Sequence, residues 1–278
     1  MKKKVINIKF DRNYQPVRKD YKRNISFYSG NNTINYSTPN INYVLNNYLT
    51  SNINYLPKNE VDTGHAKKMP LGTLVRLSNC ICKVKFGPKE GTGFFLKILD
   101  RYNTFHFLVS NEHVIEQKYV NMRSELHIIS EKGKHYYLTY SSYSKLIKCF
   151  PKPTDITIVP LLPANIRKMS DIDFLEMDLS LSNGRGFSQY LGEYVYCLQH
   201  PNKAPTHIAM GKIVKIFNIY EFEHSVDTAE GSSGSPIILC SNNKVVGIHK
   251  SGFEVNYINQ GTFIVKFLID LVLQKKNK

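Results

Sequence analysis

The chain has 278 residues, a hydrophobic content of 42% and a formal net charge of +15. This length suits one large or two modest domains, and the composition excludes disorder throughout. Five cysteines are too few and odd in number for a disulfide scaffold, and no apolar run approaches the roughly 20 residues of a membrane span. Because Met1–Phe10 has no apolar signal stretch, we expect an intracellular, most simply cytoplasmic, protein.

Residues 1–64 differ in composition from the rest of the chain. They contain 13 Asn and seven Tyr and have a net charge of +6. One interpretation is a poorly ordered, Asn-rich arm. The other is an arm that binds nucleic acid or another anionic partner, because basic residues alternate with tyrosines that can stack on bases. Both interpretations stay open at this point.

Short apolar runs separated by turn residues begin at about Leu71. Runs of this length that are rich in Val, Ile, Phe and Tyr are typical of β-strands, and many such runs are typical of barrels or sandwiches. The predicted strands are Gly72–Leu77, Cys80–Phe86, Gly93–Leu99, Phe105–Val109, Leu126–Ser130, Tyr136–Tyr140, Ile156–Leu161, Tyr194–Leu198, Ile208–Ile216, Pro236–Leu239 and Val245–His249.

These strands fall into two halves, residues 65–165 and 166–278. The first half has a net charge of +8 and the second of +1, so the excess charge lies before residue 166. Pro163–Gly186 is expected to connect the halves. Thr262–Gln274, followed by lysines, predicts a C-terminal helix. The sequence therefore predicts an all-β protein in two halves with a terminal helix.

The loop Glu230–Pro236 is the strongest chemical signal in the chain. Its run of Gly and Ser before an apolar strand allows a tight turn with consecutive N–H groups aimed at one point, as an oxyanion hole requires. Ser233 is then the candidate nucleophile. The alternative is an ordinary Gly/Ser hairpin turn.

Two further residues supply what such a serine needs. His113 follows an apolar strand and is a candidate general base, although it could equally be a residue at a strand end. Asp155 opens another apolar strand, where its carboxylate could orient the second ring nitrogen of a histidine. The alternative for Asp155 is a turn cap.

The order His113, Asp155, Ser233 favours one catalytic set over three unrelated features. A Gly-x-Ser-x-Gly elbow fails because Ser235 holds its last position. Cys80 and Cys82 have no partner pair for zinc, and no phosphate-binding Gly-Lys loop exists. We expect neither metal nor cofactor.

Several segments together resemble the chymotrypsin/trypsin superfamily of serine peptidases. They are Gly91-Thr-Gly-Phe-Phe-Leu, Ser-Asn-Glu-His113-Val-Ile, Asp155-Ile-Thr-Ile-Val, Gly231-Ser-Ser233-Gly-Ser-Pro and Val246-Gly-Ile-His-Lys-Ser-Gly252. The resemblance covers roughly residues 71–274 and is closest to disulfide-free trypsin-like peptidase domains and glutamyl endopeptidases. It implies two six-stranded antiparallel β-barrels with the active site between them, and an oxyanion hole at Gly231 and Ser233.

The resemblance also implies walls for the pocket that binds the residue before the scissile bond. These walls comprise Asp227, Thr228, His249, Ser251 and Gly252. His249 and Thr228 are similar to the carboxylate-binding residues of glutamyl endopeptidases, whereas Asp227 lies where trypsin-like enzymes bind Lys or Arg. We favour acidic substrates, and the basic alternative stays open.

Two functions follow. The first is a serine endopeptidase acting on protein or peptide substrates through an acyl-enzyme. The alternative is a peptidase-like binding module with little or no catalysis, recruited by the basic arm to nucleic acid or an anionic partner.

Overall fold

The structure is a computed structural model that describes residues 69–99, 104–122, 124–139, 146–178, 180, 187–253 and 258–264. All of them belong to one compact unit, Lys58–Lys278. The predicted arm, residues 1–64, lies outside the described residues. Among the residues described, no helix is long and apolar enough to cross a membrane.

Within this part of the chain, β-strands dominate and the helices are short. The strands are β1 (Ile81–Phe86), β2 (Lys89–Leu99), β3 (Thr104–Ser110), β4 (Leu126–Ser130), β5 (His135–Leu138), β6 (Lys148–Phe150), β7 (Ile156–Pro160), β8 (Leu175–Glu176), β9 (Tyr194–Gln199), β10 (His207–Ile216), β11 (Glu221–His224), β12 (Pro236–Leu239), β13 (Val245–Phe253) and β14 (Ile258–Phe263). The helices are α1 (Leu71–Ser78), α2 (Gln117–Asn121) and α3 (Pro163–Lys168), with 3₁₀ turns at Phe187–Tyr190 and Pro201–Lys203. All the predicted strands except the first overlap an observed strand.

The prediction of a strand over Gly72–Leu77 is wrong, because these residues lie in α1. The carbonyl oxygen of Pro70 accepts two N–H groups of the first turn, at 3.0 and 3.3 Å. A strand would bury every second side chain. Here Leu77 is 1% exposed and Val75 is 55% exposed. A short apolar run is compatible with the periodicity of a strand and with that of a helix, and the burial of Leu77 favours the helix.

The C-terminal helix was predicted to begin at Thr262, and this start is also wrong. Thr262 and Phe263 are the last residues of β14. This strand pairs with β11 on one side and β13 on the other. Thr and Phe suit a paired strand, so the ladder extends through both. Residues 265–274 of the predicted helix lie outside the described residues.

Two sheets account for the strands. The first has eight strands in the order β5-β4-β1-β2-β3-β7-β6, with β8 pairing parallel to β2. The second is a closed antiparallel barrel in the order β10-β11-β14-β13-β12-β9. The predicted all-β fold is therefore confirmed, and the second sheet closes as an expected six-stranded barrel. The predicted division at residue 166 stays a prediction, since β8 follows that residue and pairs with β2 of the first sheet. The first sheet exceeds six strands because the short β6 and β8 add to it.

Three apolar cores hold these sheets together. Alternate side chains of β2 point to different cores, so Phe94 and Leu96 pack in one and Phe95 packs in another. The core of Phe94 and Leu96 also contains Tyr196 and Ile248 of the barrel. It therefore joins the two sheets and fixes the residues that each sheet presents at their junction.

Candidate active site

His113 lies in a turn directly after β3. The carbonyl oxygen of Asn111 accepts hydrogen bonds from the N–H groups of Val114 at 3.2 Å and Ile115 at 3.0 Å. Both of these side chains are buried. They anchor the turn, whereas the His113 side chain keeps 36% of its surface exposed. The ring is therefore fixed in position but open to a substrate.

Asp155 lies just before β7 and faces this ring. Its Oδ2 is 2.6 Å from Nδ1 of His113, and its Oδ1 accepts the backbone N–H of His113 at 2.9 Å. An ionised carboxylate can accept hydrogen bonds but cannot donate them, so the proton of the neutral His113 ring is on Nδ1. Nε2 of the neutral ring then carries the lone pair that a general base needs.

Electrostatics keep Asp155 ionised although its side chain is only 1% exposed. Burial raises the pKa of this carboxyl, but the hydrogen bonds and the charge of His113 outweigh it, and the net pKa is lowered. An ionised carboxylate at this distance stabilises the protonated ring. The structure thus brings together two of the predicted catalytic residues.

Asn111 is a residue of the candidate site that the sequence analysis missed. Its Nδ2 donates to the carbonyl oxygen of Asp155 at 2.8 Å, so it links the turn of His113 to the turn of the carboxylate. Its position two residues before the histidine is the one signal that could have found it.

The Ser233 loop depends on glycines at two positions. Gly231 has φ +87° and Gly234 has φ +90°, in the left-handed region that L side chains avoid. A Cβ on Gly234 would lie 2.0 Å from the Thr92 carbonyl oxygen, and one on Gly231 would lie 2.7 Å from that of His200. Close packing of backbone against backbone therefore shapes the loop.

Thr92 of β2 holds this loop against the first sheet. Its N–H donates to the Ser233 carbonyl at 2.8 Å, and its hydroxyl donates to the Gly231 carbonyl at 2.8 Å. A Cβ on Gly91 would lie 2.9 Å from the Ser233 carbonyl oxygen and 2.7 Å from Val114 Cγ2. The Ser233 loop and the turn that carries His113 therefore both pack on this stretch of β2. Glycines flanking Thr92 in a bulky strand were the available sequence signal.

The N–H groups of the loop fall into two classes. Those of Ser232 and Gly234 donate to carbonyl oxygens at 3.0 and 3.2 Å. Those of Gly231 and Ser233 have no acceptor in the part of the chain that the structure describes. Over the same residues, no hydrogen bond joins the Ser233 hydroxyl to His113. Two unpaired donors beside a serine can bind an oxyanion.

The model of a family described as the trypsin-like peptidase domain matches residues 91–248. The chain belongs to this family. The match covers more than half of the chain and includes His113, Asp155 and Ser233. A search of curated protein sequences finds no match.

Solved structures of similar fold include proteases at low sequence identity. The serine endoprotease from Yersinia pestis is 15% identical with a TM-score of 0.51, covering 75% of this chain and 67% of its own. A chain from a structure of the Sesbania mosaic virus VPg protein is 18% identical (TM-score 0.49; 68% and 90% covered). The Rv3671c protease in an inactive form is 17% identical (TM-score 0.48; 70% and 90% covered). The Yersinia structure supports the trypsin-like fold.

In this trypsin-like peptidase domain, His249 lies beside the Ser233 loop. Its carbonyl accepts the N–H of Gly234 at 3.2 Å, and its N–H donates to Ser235 at 2.8 Å. Its ring is buried, with Nδ1 3.3 Å from Nε2 of His224. Burial, together with the nearby charge of His113, lowers the pKa of His249 to about 3. The ring is therefore neutral at physiological pH.

The other predicted pocket residues differ in exposure. Asp227 is exposed, and its carbonyl oxygen accepts Nε2 of Gln199 at 2.9 Å. Thr228 is half-buried, whereas Ser251 and Gly252 are exposed. Among the predicted pocket residues only His249 is buried, so its imidazole is a desolvated polar group beside the Ser233 loop.

A cavity of about 410 Å³ borders the Ser233 loop, and the sequence analysis did not predict it. Its lining includes Gly91 and Gly231, together with Lys89, Glu90 and Lys203. The Lys203 amine is 2.5 Å from Glu90. Charged residues therefore line part of a cavity that Gly231 also lines. Within the described ranges, no group of three or more His, Cys, Asp or Glu is placed to hold a metal ion.

Proposed function

We propose that the protein is a serine endopeptidase that hydrolyses peptide bonds through a Ser233 acyl-enzyme. The observation that carries this proposal is the 2.6 Å pair formed by His113 Nδ1 and the buried Asp155 carboxylate. A serine hydroxyl is a weak nucleophile, and an oriented imidazole of this kind activates it.

The acylation step uses both ring nitrogens of His113. Nε2 takes the proton of Ser233 Oγ as this oxygen bonds to the substrate carbonyl carbon. Asp155 stabilises the resulting imidazolium, which then protonates the leaving amine as the C–N bond breaks. Catalytic hydrogen bonds are often long without substrate, so the Nε2–Oγ bond is expected to form in the Michaelis complex.

The oxyanion of the tetrahedral intermediate accepts the N–H groups of Gly231 and Ser233. Removing one such donor typically costs 10²–10³-fold in kcat, on the order of 3 kcal/mol. In the second half of the reaction, water loses a proton to His113 and attacks the acyl carbon. The Ser233 oxygen leaves with that proton, and the carboxylic acid product is released.

The residue before the scissile bond is proposed to be acidic. A neutral His249 that accepts a hydrogen bond from His224 at Nδ1 carries its own proton on Nε2 and can donate it to a carboxylate oxygen. Thr228 supplies a second donor. The exposed Asp227 is proposed to take no part, because a solvated carboxylate binds a cation weakly.

A peptide-library digest tests the proposal. Folded wild-type protein is expected to cleave internal peptide bonds, with most cuts after Glu or Asp, and Ser233→Ala to lose this activity. Ser232→Ala is the neighbouring control, because the Ser232 hydroxyl is buried and accepts the N–H of Ala229 at 3.2 Å. Cleavage that persists in Ser233→Ala would contradict the proposal. The alternative of a binding module rests on residues 1–64, outside the described residues.

A further inference from the structure

Three consecutive carbonyl oxygens in the turn of residues 151–155, here the Asp155 turn, each accept a hydrogen bond from a side chain. The bonds are Lys250 Nζ to Pro153 O, Thr262 Oγ1 to Thr154 O and Asn111 Nδ2 to Asp155 O, each at 2.8 Å. The first two donors belong to the barrel, and the third belongs to the turn that carries His113. Side chains from both sheets therefore hold this short turn.

Lys250 reaches the turn because of a β-bulge. His249 and Ser251 of β13 pair with the consecutive residues Gly261 and Gln260 of β14, which leaves Lys250 without a partner in the ladder. A bulge redirects the side chain of its extra residue, and bulges are common beside active sites. Here the extra residue immediately follows His249, so one short segment contacts both the Ser233 loop and the Asp155 turn.

The side chain of Lys250 is only 7% exposed, which is unusual for lysine. Its Nζ also forms an ion pair of 2.6 Å with Glu221 of β11. Glu221 is itself opposite Thr262 in the β11–β14 ladder. Burying a lysine is costly unless its charge and donors are satisfied. The Glu221 carboxylate pairs with the positive charge of Lys250, and the carbonyl oxygen of Pro153 accepts a hydrogen bond from its Nζ.

The Asp155 backbone requires such support. Its φ of +56° is in the left-handed region, which residues other than glycine adopt only rarely. Strained residues persist only when their surroundings over-determine them. The carboxylate of this strained residue must also meet Nδ1 of His113 at 2.6 Å.

We propose that Lys250, paired with Glu221, is a positioning residue that fixes the Asp155 turn and thereby the His113–Asp155 pair. Thr262 also holds the Asp155 turn, through the one neutral hydrogen bond from its hydroxyl to the Thr154 carbonyl oxygen. The barrel, which also carries His249, thus sets the geometry of a base that belongs to the first sheet. The kinetic consequence of this inference rests on the proposed peptidase function, whereas its geometric consequence does not.

The test combines NMR spectroscopy with kinetics on the full chain. A proton between Nδ1 and a carboxylate 2.6 Å away should resonate far downfield, and His113→Ala assigns it by its loss. Lys250→Met is expected to shift or broaden this resonance and to lower kcat by 10- to 100-fold, with KM changed less than threefold, because small misplacements of a base are costly. Thr262→Val should act in the same direction with a smaller loss of about threefold to tenfold.

Lys97→Met is the matched control, since it removes a lysine 3.2 Å from Glu176, away from the Asp155 turn. Rates are expressed per folded molecule, and Thr262→Val keeps the test available should Lys250→Met unfold. A folded variant with the wild-type resonance would overturn the proposal. A wild-type enzyme without hydrolysis would contradict the peptidase function, while the resonance would still decide whether Lys250 positions Asp155.

Discussion

Two histidine pairs belong to the candidate active site, and they differ in partner and burial. His113 faces the carboxylate of Asp155 and keeps 36% of its side chain exposed. His249 faces another imidazole, that of His224, and is 3% exposed. The net pKa of Asp155 is lowered, and the pKa of His249 is lowered to about 3.

The difference shows how environment separates two roles for one residue type. The carboxylate of Asp155 accepts the proton on Nδ1 and leaves Nε2 with a lone pair, so His113 is suited to act as a base. Burial beside a second histidine disfavours charge, so His249 is suited to donate a neutral hydrogen bond. We therefore propose that the first pair carries the chemistry and that the second pair selects the substrate.

Breaking the first pair should have the largest effect. Asp155→Asn is expected to lower kcat by about 10⁴-fold, because the amide no longer fixes the proton on Nδ1 or stabilises the imidazolium. Asp171→Asn is the matched control, because Asp171 is also buried, with its carboxylate accepting the Ser130 hydroxyl at 2.7 Å. Steady-state kinetics that show equal losses in the two variants would refute the assignment.

Breaking the second pair should change selection instead of chemistry. His249→Leu is expected to lower kcat/KM for peptides cleaved after Glu by about 10- to 100-fold, the range for one or two lost hydrogen bonds to a charged group. Its reaction with a small fluorophosphonate that has no such side chain should stay within about threefold of wild type. If cleavage instead follows Lys or Arg and is lost in Asp227→Asn, the pocket binds basic side chains and the proposed role of His249 is wrong.

The smallest expected effect is on the pH dependence of the free energy of unfolding, which reports the buried state of His249. The pKa of His249 is about 3 in the folded protein and about 6.5 in an unfolded chain, so the unfolded state binds more protons between these values. The free energy of unfolding should therefore fall as pH drops from about 6.5 towards 4. The slope should decrease in His249→Leu, by at most about 1.4 kcal/mol per pH unit.

Denaturant unfolding at a series of pH values measures this slope. Asp155 acts in a lower window, because its lowered pKa contributes stability that is lost only as pH falls below about 4. Identical slopes for wild type and His249→Leu above pH 4 would argue against a neutral, buried ring.

Local patterns in the sequence sufficed for much of the fold and for one pair of the candidate site. Short apolar runs rich in Val, Ile, Phe and Tyr located most strands. The residue chemistry predicted His113 and Asp155 as partners, and they lie 2.6 Å apart in the structure; Ser233 stays the predicted nucleophile. The pattern failed for α1, where a short apolar run fits a strand or a helix equally and packing of Leu77 decides. It failed again at Thr262, where pairing with two neighbouring strands extends β14.

The supporting residues depend on long-range register, which local patterns do not encode. Lys250 resembles a surface lysine in sequence, and only the slip between β13 and β14 turns it towards the Asp155 turn. Thr92 likewise acquires its role when the loop of Gly231 packs against it. Residues that carry chemistry are thus easier to find from sequence than residues that position them.

Labelling with a fluorophosphonate tests the central claim most directly. The reagent bonds to an activated serine oxygen with loss of fluoride, and intact-protein mass spectrometry counts the adducts. The account predicts one adduct on Ser233 in folded wild-type protein, none in Ser233→Ala and much slower labelling in Asp155→Asn. Folded wild-type protein that stays unlabelled, or an adduct that persists in Ser233→Ala, would contradict it.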